Sequence, residues 1–130
     1  MEKKILNLSL SKEWYEKIAD DTKNEEYREI KLYWANRLLD IDNNLMDVIK
    51  SFKEWKSVKS DKLPNLICGG LKLRVFSFKP FTHVRFTNGY PKGGEPYIEK
   101  EIVSISIGKP KKGLCPDRWL DKEFFIIKFK

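Results

Sequence analysis

The sequence predicts an α+β fold, a small curled mixed sheet or barrel with two to three helices packed at its openings. Apolar residues recur at helical spacing in several stretches of the first 60 residues and at every second position after residue 70. Turn-forming residues divide the second set into short segments, which is typical of a meandering sheet. The chain has 130 residues, of which 41% are hydrophobic, so we predict one domain over residues 1–130.

The N-terminal region predicts alternating strands and helices. Hydrophobic side chains alternate over residues 5–10, which indicates a strand. Ser11 and Glu13 suit the N-terminus of a helix that ends near residues 20–21. The stretch TKNEEYREI then indicates a turn and a polar strand, and KLYWANRLL has apolar residues at helical spacing.

Residues 40–66 are interpreted as a helical insertion or an elaborated connection. Leu45, Ile49 and Phe52 lie at helical spacing and predict one apolar face. Such a stripe is more typical of core packing than of a surface for a partner.

The second half of the chain has the period of β-strands. We predict strands within the stretches LKLRVFSFK, THVRFTN, YIEKEIVSISIG and EFFIIKFK. Asn88-Gly89 is a turn dipeptide that ends the second of these strands. Residues 109–122, between the last two strands, are interpreted as a polar connection.

The formal net charge of +7 is distributed unevenly along the chain. Residues 1–60 hold 12 basic and 12 acidic side chains, so the whole excess lies in residues 61–130. This asymmetry favours an anionic partner such as nucleic acid or a phosphorylated ligand. A solvated, lysine-rich surface is the alternative interpretation of the same charge.

Several classes of protein are not indicated. No apolar run approaches the roughly 20 residues of a membrane helix, and the N-terminus lacks a secretory pattern. We therefore expect a cytoplasmic protein without a membrane partner, and a monomer by default. Cys68, Cys115 and the single histidine, His83, do not form a metal-ligand set, so reduced cysteines and no cofactor are expected.

The most informative segment runs from Lys23 to Arg28. In an extended chain Glu26 and Arg28 point to one face, and Lys23 lies in the turn just before them. Arginine can bind a phosphate or a base edge, lysine supplies a mobile charge, and glutamate accepts hydrogen bonds or moves a proton. A solvated cluster of ion pairs on a strand fits the same spacing.

These residues resemble the G-x-K-x-x-E-x-R signature of ASCH domains, which belong to the PUA-like superfamily. Lys23, Glu26 and Arg28 match it, and Asp21 stands in place of the glycine. The stretches HVRFTNGY, EIVSISIG and FFIIKFK are similar to later strands of that family. The resemblance implies a PUA-like barrel with a basic cleft around the KxxExR motif that binds RNA or a nucleotide.

Further candidate ligand-binding residues follow from alternation along the elements. Arg85 and Thr87 share a strand face beside Asn88, where they can contact a phosphate or a ribose. Tyr33 and Trp34 follow the motif on a helix, where one of them can stack on a base. The alternatives are ordinary exposed strand positions for the first group and core packing for the aromatic pair.

The connection between the last two strands is also basic. Lys109, Lys111, Lys112 and Arg118 can follow a nucleic-acid backbone. A solvated loop fits these residues equally well.

Three functions are therefore open. The favoured one is binding of RNA or a nucleotide, with Lys23, Arg28 and Arg85 on phosphate. The second is a metal-independent ribonuclease or modified-nucleoside hydrolase, with Lys23, Glu26 and Glu101 as catalytic groups. The third is a protein-interaction module in which the motif is only an ion-pair cluster.

Overall fold

The computed structural model describes residues 2–41, 71, 76–90, 93–94 and 96–130. The chain divides into two compact units. The first contains residues 1–27 and 80–130, and the second contains residues 28–79. The predicted α+β class is confirmed, with one sheet of five strands and another of two.

The described elements follow one another along the chain as strands with two helices and one 3-10 turn between them. They are β1 (Ile5–Leu10), α1 (Lys12–Ala19), β2 (Glu25–Glu29), α2 (Leu32–Leu38), β3 (Leu39–Ile41), β4 (Phe76–Phe78), β5 (His83–Asn88), β6 (Tyr97–Gly108), the 3-10 turn (Asp117–Trp119) and β7 (Phe124–Phe129). The main sheet has the order β1-β5-β6-β7-β2. β1 is parallel to β5, whereas β5, β6 and β7 pair antiparallel.

Alternation along the strands buries one face of this sheet. The buried side chains include Leu6, Leu8 and Leu10 on β1, Val84 and Phe86 on β5, and Phe125, Ile127 and Phe129 on β7. The rings of Phe86 and Phe129 lie 5.1 Å apart between centroids. Core residues of β5 and β7 therefore meet although β6 lies between these strands, and the burial of alternate residues on β1, β5 and β7 follows the two-residue period that these stretches predicted.

The mixed sheet is confirmed, but no closed barrel is formed by the described residues. β1 and β2 are the edge strands of the five-strand order. β6 pairs with β5 through residues 97–101 and with β7 through residues 102–108, with an irregularity between Ile102 and Ser104. Such a bulge bends a strand and increases its twist locally, which lets one strand serve two partners without closing the sheet.

The first helix, α1, begins after Ser11, as predicted. Ser11 has extended backbone angles, but its side chain makes no capping hydrogen bond. Glu13 lies in the first turn, and Ile18 is fully buried. α1 and α2 have eight and seven residues, and no helix in the described part of the chain could cross a membrane.

The second unit contains α2 and an antiparallel pair formed by β3 and β4. Ala35 and Leu38 are buried, as the helical spacing predicted. The helix was expected to include Leu39, which instead has extended backbone angles and begins β3. Lys79 donates from its backbone to Leu38 at 2.8 Å and from its ammonium to Asn36 at 3.1 Å, which holds the end of β4 against α2.

Some sequence predictions lie outside the described residues. The predicted insertion at residues 40–66 begins with two residues of β3, and residues 42–66 are outside the description. The same holds for Cys68 and for residues 72–75 of the predicted strand that contains β4.

Candidate functional site

The turn between α1 and β2 determines where the KxxExR motif lies. Beyond Asp20, the backbone N–H groups of Asp21 and Thr22 donate to the carbonyls of Ile18 and Lys17 at 3.2 and 3.0 Å. This is a Schellman arrangement, whose residue after the C-cap is left-handed and most often glycine. Asp21 occupies that position with φ +63°. The residue that departs from the ASCH signature thus adopts the backbone conformation that favours glycine.

We expect Asp21→Gly to be more stable than Asp21→Ala by about 1 kcal/mol, because a β-carbon is disfavoured at left-handed φ. Urea denaturation measures the difference. Asp21 also pairs with Lys100 at 3.0 Å, but both substitutions remove this exposed contact equally, and Lys100→Met reports its separate effect. An alanine variant as stable as the glycine variant would contradict the left-handed turn.

Lys23 is buried two residues after Asp21. Its side chain is 1% exposed, and its ammonium lies 3.5 Å from the carboxylate of Glu26, whose side chain is 5% exposed. The ammonium also lies 4.6 Å from the ring centroid of Trp14 and 5.2 Å from that of Tyr27. A buried charge is strongly unfavourable unless it is paired, and these groups supply the pairing. The solvated cluster that the spacing also allowed is therefore wrong, because the pair lies in the interior.

Two lysines hold the segment between β6 and β7, residues 109–123, which we call the basic connection. The ammonium of Lys23 donates to the carbonyl of Leu114. The ammonium of Lys17, on α1, donates to the neighbouring carbonyl of Gly113 at 3.2 Å. Two successive carbonyls of the basic connection are thus oriented towards cations from α1 and the turn after it.

The hydroxyl group of Tyr27, on β2, binds the basic connection nearer the start of that segment. The Tyr27 hydroxyl accepts a hydrogen bond from the backbone N–H of Lys111 at 3.1 Å and donates to Glu25 at 2.8 Å. The other carboxylate oxygen of Glu25 lies 3.4 Å from the Lys111 ammonium. Burial, together with the neighbouring Glu25 carboxylate, raises the pKa of Tyr27 well above its ordinary value. The hydroxyl therefore remains a donor at neutral pH.

The basic connection was predicted as a polar loop, yet it contributes to the core. Cys115 is a free thiol, as expected, and is 4% exposed. It packs with Tyr27 and Phe124, and Trp119 stacks on Phe124 with centroids 4.9 Å apart. Burial raises the pKa of the Cys115 thiol, so it behaves as a small apolar side chain. The apolar residues within LCPDRWL were the available sequence signal for this packing.

Arg28 and the aromatic pair of α2 belong to the second unit. The Arg28 guanidinium lies 5.2 Å from the ring centroid of Trp34, and that of Arg37 lies 4.9 Å from the same centroid. Tyr33 is 59% exposed and meets Trp34 edge-on. Within this unit, Trp34 is therefore a platform for two cations, and Tyr33 lies at the surface.

Arg85 and Thr87 share one face of β5, as predicted, and both are half-buried. Arg85 donates to Glu99 on β6 at 2.9 Å, and its guanidinium lies 4.1 Å from the ring centroid of Tyr97. Lys3 donates to the other Glu99 oxygen at 2.8 Å. The hydrogen bonds from Lys3 and Arg85 lower the pKa of Glu99 to about 2. Arg85 is thus partly neutralised within the sheet.

The remaining candidates lie on β5 and β6. The Thr87 hydroxyl donates to the carbonyl of Gly89 at 2.9 Å, and Asn88 is exposed at the end of β5. Glu101, the proposed third catalytic group, pairs with Lys130 at 3.3 Å. The described contacts of Glu101 are therefore with the C-terminal lysine.

No protein-family model matches the chain, and no match was found among curated proteins or solved structures. In the part of the chain that the structure describes, no group of three or more His, Cys, Asp or Glu side chains could hold a metal ion.

Proposed function

We propose that this protein binds RNA or a nucleotide, and that the basic connection supplies the cations that contact phosphate. Its exposed cations are Lys109, Lys111, Lys112, Arg118 and Lys122, of which Lys111 is paired with Glu25. Among the described residues, no carboxylate forms an ion pair with any of the other four. The segment also carries the exposed acidic residues Asp117, Asp121 and Glu123. Four cations without an ion-pair partner on one segment still favour binding of phosphate oxygens, and this is the observation that carries the proposal.

Other candidate cations are engaged within the fold. Lys23 is paired with Glu26 in the interior, and Arg85 is paired with Glu99 on the sheet. We therefore assign Lys23 a positioning role, in which its bond to the Leu114 carbonyl orients the basic connection. Because its side chain is only 1% exposed, Lys23 does not contact phosphate directly.

The resemblance to ASCH domains supports the same class of ligand. The left-handed turn at Asp21, followed by Lys23 and Glu26, is in keeping with the signature, and the PUA-like character of the fold is part of this proposal. The cations are spread from Lys109 to Lys122, which favours a chain of phosphates over a single one. We therefore place RNA ahead of a free nucleotide.

The binding is expected to be sensitive to salt. If all four cations contact phosphate on a single strand, the logarithm of affinity falls with the logarithm of salt with a slope of about −3. Raising salt from about 50 to about 200 mM then weakens binding roughly fifty-fold. Fluorescence anisotropy with a labelled single-stranded RNA of about 12 nucleotides measures this slope, and ATP as competitor tests for a nucleotide site.

A pair of double variants tests the location of the cations. Lys109→Ser with Lys112→Ser is expected to reduce the slope by roughly 1.4, because two phosphate contacts are removed. Lys4→Ser with Lys12→Ser removes the same charge from outside the basic connection and is the matched control. Equal losses in the two double variants, or binding that ignores salt, would contradict the proposal.

A further inference from the structure

Tyr97 is an exposed aromatic residue with a cation stacked on its ring. It begins β6 and is 51% exposed, although aromatic side chains in strands usually pack against neighbours. The Arg85 guanidinium lies 4.1 Å from the ring centroid. Thr87 is the residue opposite Tyr97 in the register of β5 and β6. The ring therefore has a cation against it and remains half open to solvent.

Charged hydrogen bonds hold that cation in place. Arg85 donates to one oxygen of Glu99 at 2.9 Å, and Lys3 donates to the other at 2.8 Å. Hydrogen bonds between charged groups are stronger and more directional than neutral ones. A stacking surface that is already ordered loses less conformational entropy when a ligand binds. The arrangement of Lys3, Glu99 and Arg85 thus pre-organises the site around Tyr97.

We propose that Tyr97, with Arg85, forms a stacking site for an unpaired base, which makes single-stranded RNA the ligand class. This inference rests on the proposed RNA-binding function. Aromatic rings and guanidinium planes bind splayed bases by stacking, whereas the bases of an A-form duplex are already stacked on one another. A protein partner can also cover an exposed tyrosine, but the net positive charge of the chain favours the polyanion.

The distance between this site and the basic connection sets the length of RNA that reaches both. They lie at opposite ends of β6, whose twelve residues rise about 40 Å when fully straight. A strand of about 12 nucleotides spans a similar length even at the duplex rise of about 3.4 Å per nucleotide, and an unstacked single strand spans more. A single-stranded RNA of about 12 nucleotides is therefore long enough to contact both Tyr97 and the basic connection.

The test compares Tyr97→Ala with Tyr97→Phe on three probes: single-stranded RNA, duplex RNA of the same length, and inorganic polyphosphate. Tyr97→Ala is expected to weaken binding of single-stranded RNA roughly tenfold, because one stacked base is lost. Tyr97→Phe keeps the ring and is expected to bind nearly as well as the parent protein. Duplex RNA and polyphosphate present no unpaired base, so their binding should not change.

Tyr90→Ala is the matched control, since Tyr90 is 88% exposed and has no ring contact among the described residues. Unchanged binding of single-stranded RNA by Tyr97→Ala would overturn the stacking site and leave the proposed function standing. An equal loss on polyphosphate, on duplex RNA or in Tyr90→Ala would overturn it as well. If the parent protein binds none of the RNA probes, both the proposed function and the stacking site are wrong. If a protein partner covers Tyr97 instead, the stacking site is wrong.

Discussion

Lys23→Met is expected to destabilise the protein by about 3–5 kcal/mol, because it leaves the Glu26 carboxylate buried beside an apolar side chain. The parent pair has an N–O distance of 3.5 Å, and the two side chains are 1% and 5% exposed. Urea denaturation followed by tryptophan fluorescence measures the change in the free energy of unfolding.

The chain contains a matched pair that isolates the effect of burial. Lys12 and Glu16 are also close in sequence and lie 3.9 Å apart, but their side chains are 78% and 62% exposed. Lys12→Met is therefore expected to cost less than about 0.5 kcal/mol, as exposed helix pairs do. Similar losses in the two variants would show that the Lys23–Glu26 pair is not buried.

A double variant separates stability from positioning. Lys23→Met with Glu26→Leu removes both charges together, and apolar replacements of buried ion pairs often recover stability. The Leu114 carbonyl still lacks its donor in this variant, so we expect RNA affinity to remain below that of the parent protein. Recovery of stability together with full RNA affinity would contradict the positioning role of Lys23.

Tyr27→Phe is expected to cost about 1–3 kcal/mol, because the Glu25 carboxylate loses a donor and the Lys111 N–H loses an acceptor. Tyr15→Phe is the control, since the Tyr15 hydroxyl has no hydrogen bond among the described residues and its loss should be nearly neutral. Equal effects of the two substitutions would contradict the bridge between β2 and the basic connection.

The pH dependence gives a second readout for Tyr27. Its pKa is raised in the folded protein, so above its ordinary value of 10.0 the unfolded chain releases a proton that the folded chain retains. Stability attributable to this hydroxyl is therefore complete below pH 10.0 and is lost as the pH rises beyond it. We expect Tyr27→Phe to flatten this alkaline loss, which unfolding curves collected at increasing pH would show.

The sequence by itself determined most of the secondary structure in the described residues. β1 and β6 have the predicted bounds, and α1 ends where its apolar periodicity does. This success is local in origin, because a strand or helix with one buried face repeats that face in its own sequence. The break between α2 and β3 was missed because Leu39 continues the apolar spacing of the helix while its backbone is extended.

For the candidate site, the sequence selected the important residues but not their partners. Lys23, Glu26 and Arg85 were found from residue type and spacing. Their partners, the Leu114 carbonyl for Lys23 and Glu99 for Arg85, could not be assigned from the sequence. Lys23 and Leu114 are 91 residues apart in the chain. No local pattern records which distant segment a side chain will meet.

Tertiary structure decided which charged side chains are paired in the interior and which remain exposed. Folding brings β2 and α1 against the basic connection, so Lys23 leaves water and becomes paired with Glu26. The three lysines of KPKK remain exposed, and the backbone N–H of Lys111 is bound to the Tyr27 hydroxyl. Net charge can be counted from the sequence, but burial and pairing determine where that charge can act, because both depend on contacts between distant parts of the chain.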